Sequence, residues 1–263
     1  MALDFLCAVA KRSVQLGMFF DRVMTNGVWF KDGAQLVRSL RRFKAAGYDG
    51  SIGLSVDAFH RQPMDKLVLF IKTAAEIWGR ADVVFLAVVR GARDRQTRDK
   101  LKRLAWLMGG ELKKVSRDQS FIKNDDIFMR ISPIDLSAVD TAQGLCRHWN
   151  GKWFKEDYCR GPGNVFFVQP DGAIKPCCGY AVDLDQLTIG NIYHDSPRQV
   201  LINASKNLLV DRIFTRGLTW VRRSLLKLGA DFPGQTENHC YFCWYIGKNI
   251  SPARLLAALK ISI

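Results

Sequence analysis

The stretch Asp82-Val-Val-Phe-Leu-Ala-Val-Val89 constrains this chain more than any other. A nearly continuous apolar run rich in β-branched residues is the signature of a strand buried on both faces, as in a parallel sheet. Parallel strands need crossover connections, and the surrounding sequence supplies them. Residues 3–17 read as an amphipathic helix ending at Gly17, and residues 20–27 as a strand. Residues 32–46 set Leu36, Val37, Leu40 and Phe43 on one helical face before the stop at Gly47. A short apolar strand follows at 51–57. A helix over 65–78 faces Leu67, Phe70, Ile71, Ala74 and Trp78 inward. After the 82–89 strand come a basic helix over 94–108 and a further strand near 127–131. Repeated βα units predict an α/β fold with function at the carboxyl ends of the strands. Those ends carry Thr25, Asn26, Ser55, Asp57 and Arg90. Each has a structural alternative: turn chemistry at Asn26-Gly27, a helix cap at Asp57, simple solvation at Arg90. Their recurrence at successive strand ends argues for a pocket.

Beyond about residue 140 the pattern changes, so two domains are expected, 1–140 and 141–263. Gly, aromatic and Cys residues become denser. Residues 165–169, the turn Pro170-Asp-Gly172 and residues 173–175 form a hairpin pattern that delivers Cys177 just after Pro176. A helical stretch over 197–228, the pair Cys240-Tyr-Phe-Cys243 and a closing helix capped by Ser251-Pro252 complete the chain.

The seven cysteines are unevenly spread. Cys7 stands alone, whereas Cys146, Cys159, Cys177, Cys178, Cys240 and Cys243 lie in the last 118 of 263 residues. Hydrophobic residues at 48% and charged residues at 24% describe an ordinary globular core, not a disulfide miniprotein or a disordered tail. No apolar run approaches the ~18–20 residues that span a bilayer. The first apolar stretch carries Asp4 early and its bases, Lys11 and Arg12, afterwards, the reverse of a signal peptide. A cytoplasmic location is expected, where clustered cysteines favour a metal site over disulfides. Cys159, Cys177, Cys240 and Cys243 provide four thiolates, the right number for an iron–sulfur cluster or a tetrahedral zinc. A zinc ribbon builds its site from two Cys-x-x-Cys knuckles, and this chain has one, so the pattern leans toward iron–sulfur. Cys178 would point away from its neighbour, and Cys146 and Cys7 read as core cysteines.

The formal net charge of +14 has two concentrations. Ten bases lie between Arg90 and Arg117 against Asp94, Asp99 and Glu111, and Arg212, Arg216, Arg222, Arg223 and Lys227 form a second group. The first set interleaves with Leu101, Leu104, Ala105 and Leu107 at helical spacing. Such patches can bind nucleic acid, but this is the pattern of a solvated helix face with no nucleic-acid motif beside it, so neither a nucleic-acid nor a membrane partner is expected.

The spacing Cys159-x12-Gly172-x4-Cys177, the "QPDGAIKPCCG" around it and the downstream "IGNIYHDS" resemble the radical S-adenosylmethionine (SAM) superfamily. The match is to members with a C-terminal SPASM or twitch auxiliary-cluster domain. No cysteine follows Cys243, so the likeness is closer to the shorter twitch form. The resemblance implies one auxiliary [4Fe-4S] cluster on Cys159, Cys177, Cys240 and Cys243. "VMTNGVWF", "IGLSVDAFH" and "VVFLAVVRG" resemble the third, fourth and fifth strands of that superfamily's partial (β/α)6 barrel. They imply SAM contacts from Thr25, Asn26, Ser55, Asp57 and Arg90. The superfamily's Cys-x3-Cys-x2-Cys loop and its Gly-Gly-Glu segment are absent, and only Cys7 precedes residue 146. By the resemblance the barrel is incomplete, Met1 is an internal position of a longer protein, and the chain as written does not cleave SAM. A peptide or small-molecule substrate and an electron donor such as ferredoxin or flavodoxin are implied. Two alternatives stay open: a non-catalytic four-cysteine zinc module with a basic docking surface, and a decayed pseudoenzyme.

Overall fold

The structure is a computed structural model that describes residues 2–56, 60–89, 95–114, 120–124, 126–134, 149, 151–154, 159, 161–177 and 179–261. The chain divides into two compact units, Met1–Leu136 and Ser137–Ile263. The first is α/β, with a six-stranded, mostly parallel sheet.

In the first unit α1 (Leu3–Gln15) precedes β1 (Arg22–Thr25), α2 (Gly33–Ala45), β2 (Ser51–Ser55), α3 (Met64–Trp78), β3 (Val84–Val89) and α4 (Arg95–Leu107). These are the expected elements, within a few residues of the expected bounds. The Asp32 carboxylate caps α2 by accepting the Gln35 N–H at 2.7 Å, and α3 ends on left-handed Gly79. Strands β1, β2 and β3 pair in parallel and in chain order, and β3 then pairs in parallel with β6 (Phe128–Ile134). The buried faces of α1–α4 meet Ile52, Leu54, Val84, Leu86 and Val88 in one core. Val83–Val88 are all buried, as the apolar run demands.

Two strands were not expected. β4 (Glu111–Lys114) and β5 (Ser120–Lys123) form an antiparallel extension beyond β6, giving the order β1-β2-β3-β6-β5-β4. Their composition hides them, since Glu-Leu-Lys-Lys has one apolar residue and is the charged sequence an edge strand tolerates.

The second unit holds a small antiparallel sheet, β7 (Phe167–Val168), β8 (Ala173–Lys175) and β9 (Gly190–Asn191), in that order. The β7–β8 hairpin is the expected one, and Gly172 turns it with φ +85°. Four helices follow: α5 (Pro197–Lys206), α6 (Leu208–Lys227), α7 (His239–Asn249) and α8 (Pro252–Leu259). The single helical stretch expected over 197–228 is in fact two helices. The Asn207 side chain accepts the Val210 N–H at 3.2 Å and caps α6, and Gly217 (φ +81°) kinks α6 again. Among the described residues no helix is long and apolar enough to cross a membrane.

Leu86 is fully buried at the centre of the first unit. Leu86→Ala should destabilise that unit by about 2–5 kcal/mol, read as a lowered denaturation midpoint with little change in slope.

Candidate functional site

Cys177 leaves β8 through Pro176 and is buried. Its sulfur accepts a hydrogen bond from the Gly179 N–H at 3.2 Å, and Cys159 accepts one from the Gly161 N–H at 3.5 Å. The same local unit, Cys-x-Gly, thus occurs twice, each time folding a backbone amide back onto its own thiol. Only Gly179 sits where a side chain would not fit; Gly161 has room for one in ordinary contact. A Cβ on Gly179 would lie 2.7 Å from Cys240 Sγ and 3.7 Å from Cys177 Sγ. One on Gly161 would lie 3.4 Å from Cys159 Sγ and 3.7 Å from Cys177 Cα.

Cys240 and Cys243 are carried by α7, which Asn238 caps by accepting the Tyr241 N–H at 2.9 Å. Helical geometry brings residues three apart onto one face, and the amino end of a helix favours negative charge on both sulfurs. Cys243 is buried. Burial pushes its thiol up, and Cys177, Cys159 and Cys240 each push the same way, so each of these three lies within electrostatic reach of Cys243.

None of the four is joined in a disulfide. Among the described residues no group of three or more His, Cys, Asp or Glu side chains is placed so that it could hold a metal ion. The donor set is nonetheless coherent: four thiols from three segments, two of them with amide N–H groups aimed at sulfur. Such donors stabilise thiolate charge, and a cation is what would draw the proton from buried Cys243. These residues fit a four-thiolate group. Cys146 and Cys178 lie outside the described residues. Cys7 is buried in the first unit's core, its thiol 3.9 Å from the Arg42 carbonyl.

Of the strand-end residues, Thr25, Asn26 and Ser55 come together at one end of the β1–β2 pair. Asp57 and Arg90 lie outside the described residues. Two of the three side chains are engaged locally: Thr25 Oγ1 accepts the Gly27 N–H at 3.1 Å, and Asn26 Oδ1 accepts the Val28 N–H at 3.3 Å. The turn chemistry named as the structural alternative for Asn26-Gly27 is therefore present.

Gln62 had gone unnoticed. Buried, and preceded by Arg61 at φ +42°, it donates through Nε2 to the carbonyls of Asn26 (3.0 Å) and Ser55, and its Oε1 accepts from Lys100 Nζ at 2.7 Å. It ties β1, β2 and α4 together at their functional end. Nothing in a lone Gln marks it in sequence; the partners are 36, 7 and 38 residues away. A cleft of about 520 Å³ lies elsewhere, at the amino ends of β3 and β6, beside Lys72, Glu76, Arg80 and Asp126. Another, of about 510 Å³, lies beside Arg41, Lys44 and Glu76, residues of α2 and α3. Neither is at the strand ends where a pocket was expected.

Compared with known proteins, the chain matches no family model and no curated protein.

Gln62→Ala removes the donor to the Asn26 and Ser55 carbonyls and should cost the first unit about 1 kcal/mol in urea unfolding. A variant as stable as the wild type would show that the clamp is not structural.

Proposed function

We propose that this chain is part of a radical SAM oxidoreductase or maturase, in which the second unit carries an auxiliary [4Fe-4S] cluster and the first supplies a portion of the SAM-binding barrel. The observation that carries the reading is the pair of Cys-x-Gly units set against the amino end of α7. Gly179 lies against Cys240 and Cys177, and Cys243 feels the charge of Cys159, Cys177 and Cys240, the residues singled out with it by spacing; this proximity supports the reading. Amide N–H groups directed at cysteine sulfur are among the protein's principal means of setting a cluster's potential. The consecutive parallel strands β1, β2 and β3, with helices packed on one side, support the partial-barrel half.

A bound cluster would supply an electron-accepting centre or an anchor for substrate. The chain's own part is to hold four sulfurs in a largely buried pocket, donate two backbone hydrogen bonds to them, and keep water away with the Phe154, Phe242 and Ile246 side chains of the same core. In the first unit, Thr25, Asn26 and Ser55 stand at the end where SAM contacts are implied, with Asp57 and Arg90 completing the set assigned by resemblance. Radical generation in that superfamily needs a three-thiolate loop, and the first unit has a single cysteine, the buried Cys7, so SAM cleavage is not assigned to this chain by itself.

Anaerobic purification tests the reading. A brown protein with about four irons per chain is expected. Cys240→Ala and Cys243→Ala should abolish the colour, and Cys178→Ala should keep it. Gly179→Ala, which crowds Cys240, should lower iron content without unfolding the chain. Colourless protein with one zinc per chain overturns the assignment in favour of a zinc module.

A further inference from the structure

We propose that the face of the six-stranded sheet that the described helices of its own unit leave unpacked is a binding surface for single-stranded nucleic acid. Side chains alternate across a strand. In the first unit one set, including Leu54, Leu86, Ile122 and Met129, joins the helices in the core. Register fixes what the other set is. Arg22 on β1, Phe85 on β3 and Arg130 on β6 share that face, with Lys123 and Phe121 on β5 and Phe128 on β6 beside them.

These residues form an organised surface. The Arg22 guanidinium lies 5.0 Å from the centre of the Phe85 ring and the Arg130 guanidinium 5.9 Å from it. Cation–π contact of this kind orders both guanidiniums and leaves their N–H groups available. β2 allows the approach because it offers Gly53 at this point. A Cβ there would come within 2.5 Å of the Phe85 ring, and Met24 Sδ would be closer still. The acid nearest Arg22 is Asp21 at 3.8 Å, a loose and exposed pair. Phe121 and Phe128 lie 5.4 Å apart, and Phe128 is 41% exposed. The exposed Phe128 ring, opposite Lys123 across the β5–β6 pair and two residues from Arg130, is redundant for a carboxylate ligand, which gains nothing from it. It suits a chain of alternating anions and flat rings, with phosphates on the guanidiniums and bases on Phe128. A duplex, its bases already stacked, cannot use Phe128. Apart from Lys113, which pairs with Glu111 at 3.5 Å, these are not the bases of the 90–117 concentration. Strand pairing assembles them from distant parts of the sequence.

The test is fluorescence anisotropy of the full chain with a short, labelled, mixed-sequence single strand of RNA or DNA, a duplex of the same length and a polyglutamate peptide. It is run at about 50 and 200 mM salt. Saturable binding to the single strand is expected, at least about tenfold tighter than to the duplex. Arg22→Gln and Arg130→Gln should each weaken binding and reduce the salt slope by about one. Phe128→Ala should weaken it about fivefold or more with the slope unchanged. Phe128→Leu, which keeps apolar volume at an exposed site, should do the same and guards against a misfolded alanine variant. No saturable binding, equal binding to duplex, stronger binding to polyglutamate, or wild-type affinity in Phe128→Leu would each overturn the proposal. Iron content is measured on the same preparations, so that loss of the cluster reading and loss of this one are separately visible.

Discussion

The first unit depends on the burial of β3. Leu86 and Val88 press into the helical layer while Phe85 and Ala87 are buried on the opposite side. A strand desolvated on both faces must satisfy every backbone N–H and C=O through its neighbours. β2 and β6 flank it in parallel and do so. Parallel neighbours in turn require crossovers, and the crossovers place α2 and α3 against one side of the sheet. The composition of the other side follows from this. It is not packed by the described helices, so it can be aromatic and cationic where it is exposed and small, as at Gly53 and Ala87, where neighbours close in.

Burial works differently in the second unit. Its sheet has strands of two or three residues, too little to organise a core by pairing alone. Lys175 shows how the loops are fixed instead. It is buried, and its ammonium donates to the Leu184 carbonyl at 3.0 Å and to Thr188 Oγ1 at 2.7 Å. The hairpin strand is thereby tied to the two short 3-10 turns, Tyr180–Asp183 and Asp185–Leu187, that follow the Cys177 loop. An aromatic group around Phe242 backs this arrangement, with Trp153, Phe154 and Phe232 within 5.4–5.7 Å of its ring. A buried cation and a wall of rings hold loops that have little regular structure, and those loops carry Cys177 and face α7.

Periodicity and apolar runs made the helices of the first unit and four of its strands legible, because each is amphipathic or apolar. β4 escaped for a physical reason: a charged edge strand satisfies half its backbone groups with solvent and needs no apolar signature, and β5, at four residues, is too short to show a period. The break between α5 and α6 escaped because apolar spacing continues through Asn207, whose side chain competes for the backbone only once the chain is folded there. The four cysteines were legible from spacing alone. Their two glycines were legible in principle, since Cys159-Arg-Gly161 and Cys177-Cys-Gly179 repeat a three-residue unit. The reason for that unit is a hydrogen bond to sulfur, which no composition or periodicity reports. Gln62 was beyond reach altogether, because its function is to bridge elements whose proximity only the fold creates.

The distribution of charge makes the same point from the other direction. Linear clustering drew the eye to the bases of α4, of which Arg98, Lys102 and Arg103 are exposed around a buried stripe of Leu101, Leu104 and Ala105, the arrangement of an ordinary solvated helix. The cations that share a surface with aromatic rings are Arg22, Lys123 and Arg130, none adjacent to another in sequence. A sheet collects residues by register, at intervals set by helices and loops of arbitrary length, so a charged sheet face has no sequence signature. Net charge reports that cations are in excess. Only strand pairing reports which of them stand beside a ring, and an ordered guanidinium beside a ring is a different chemical object from a solvated lysine on a helix.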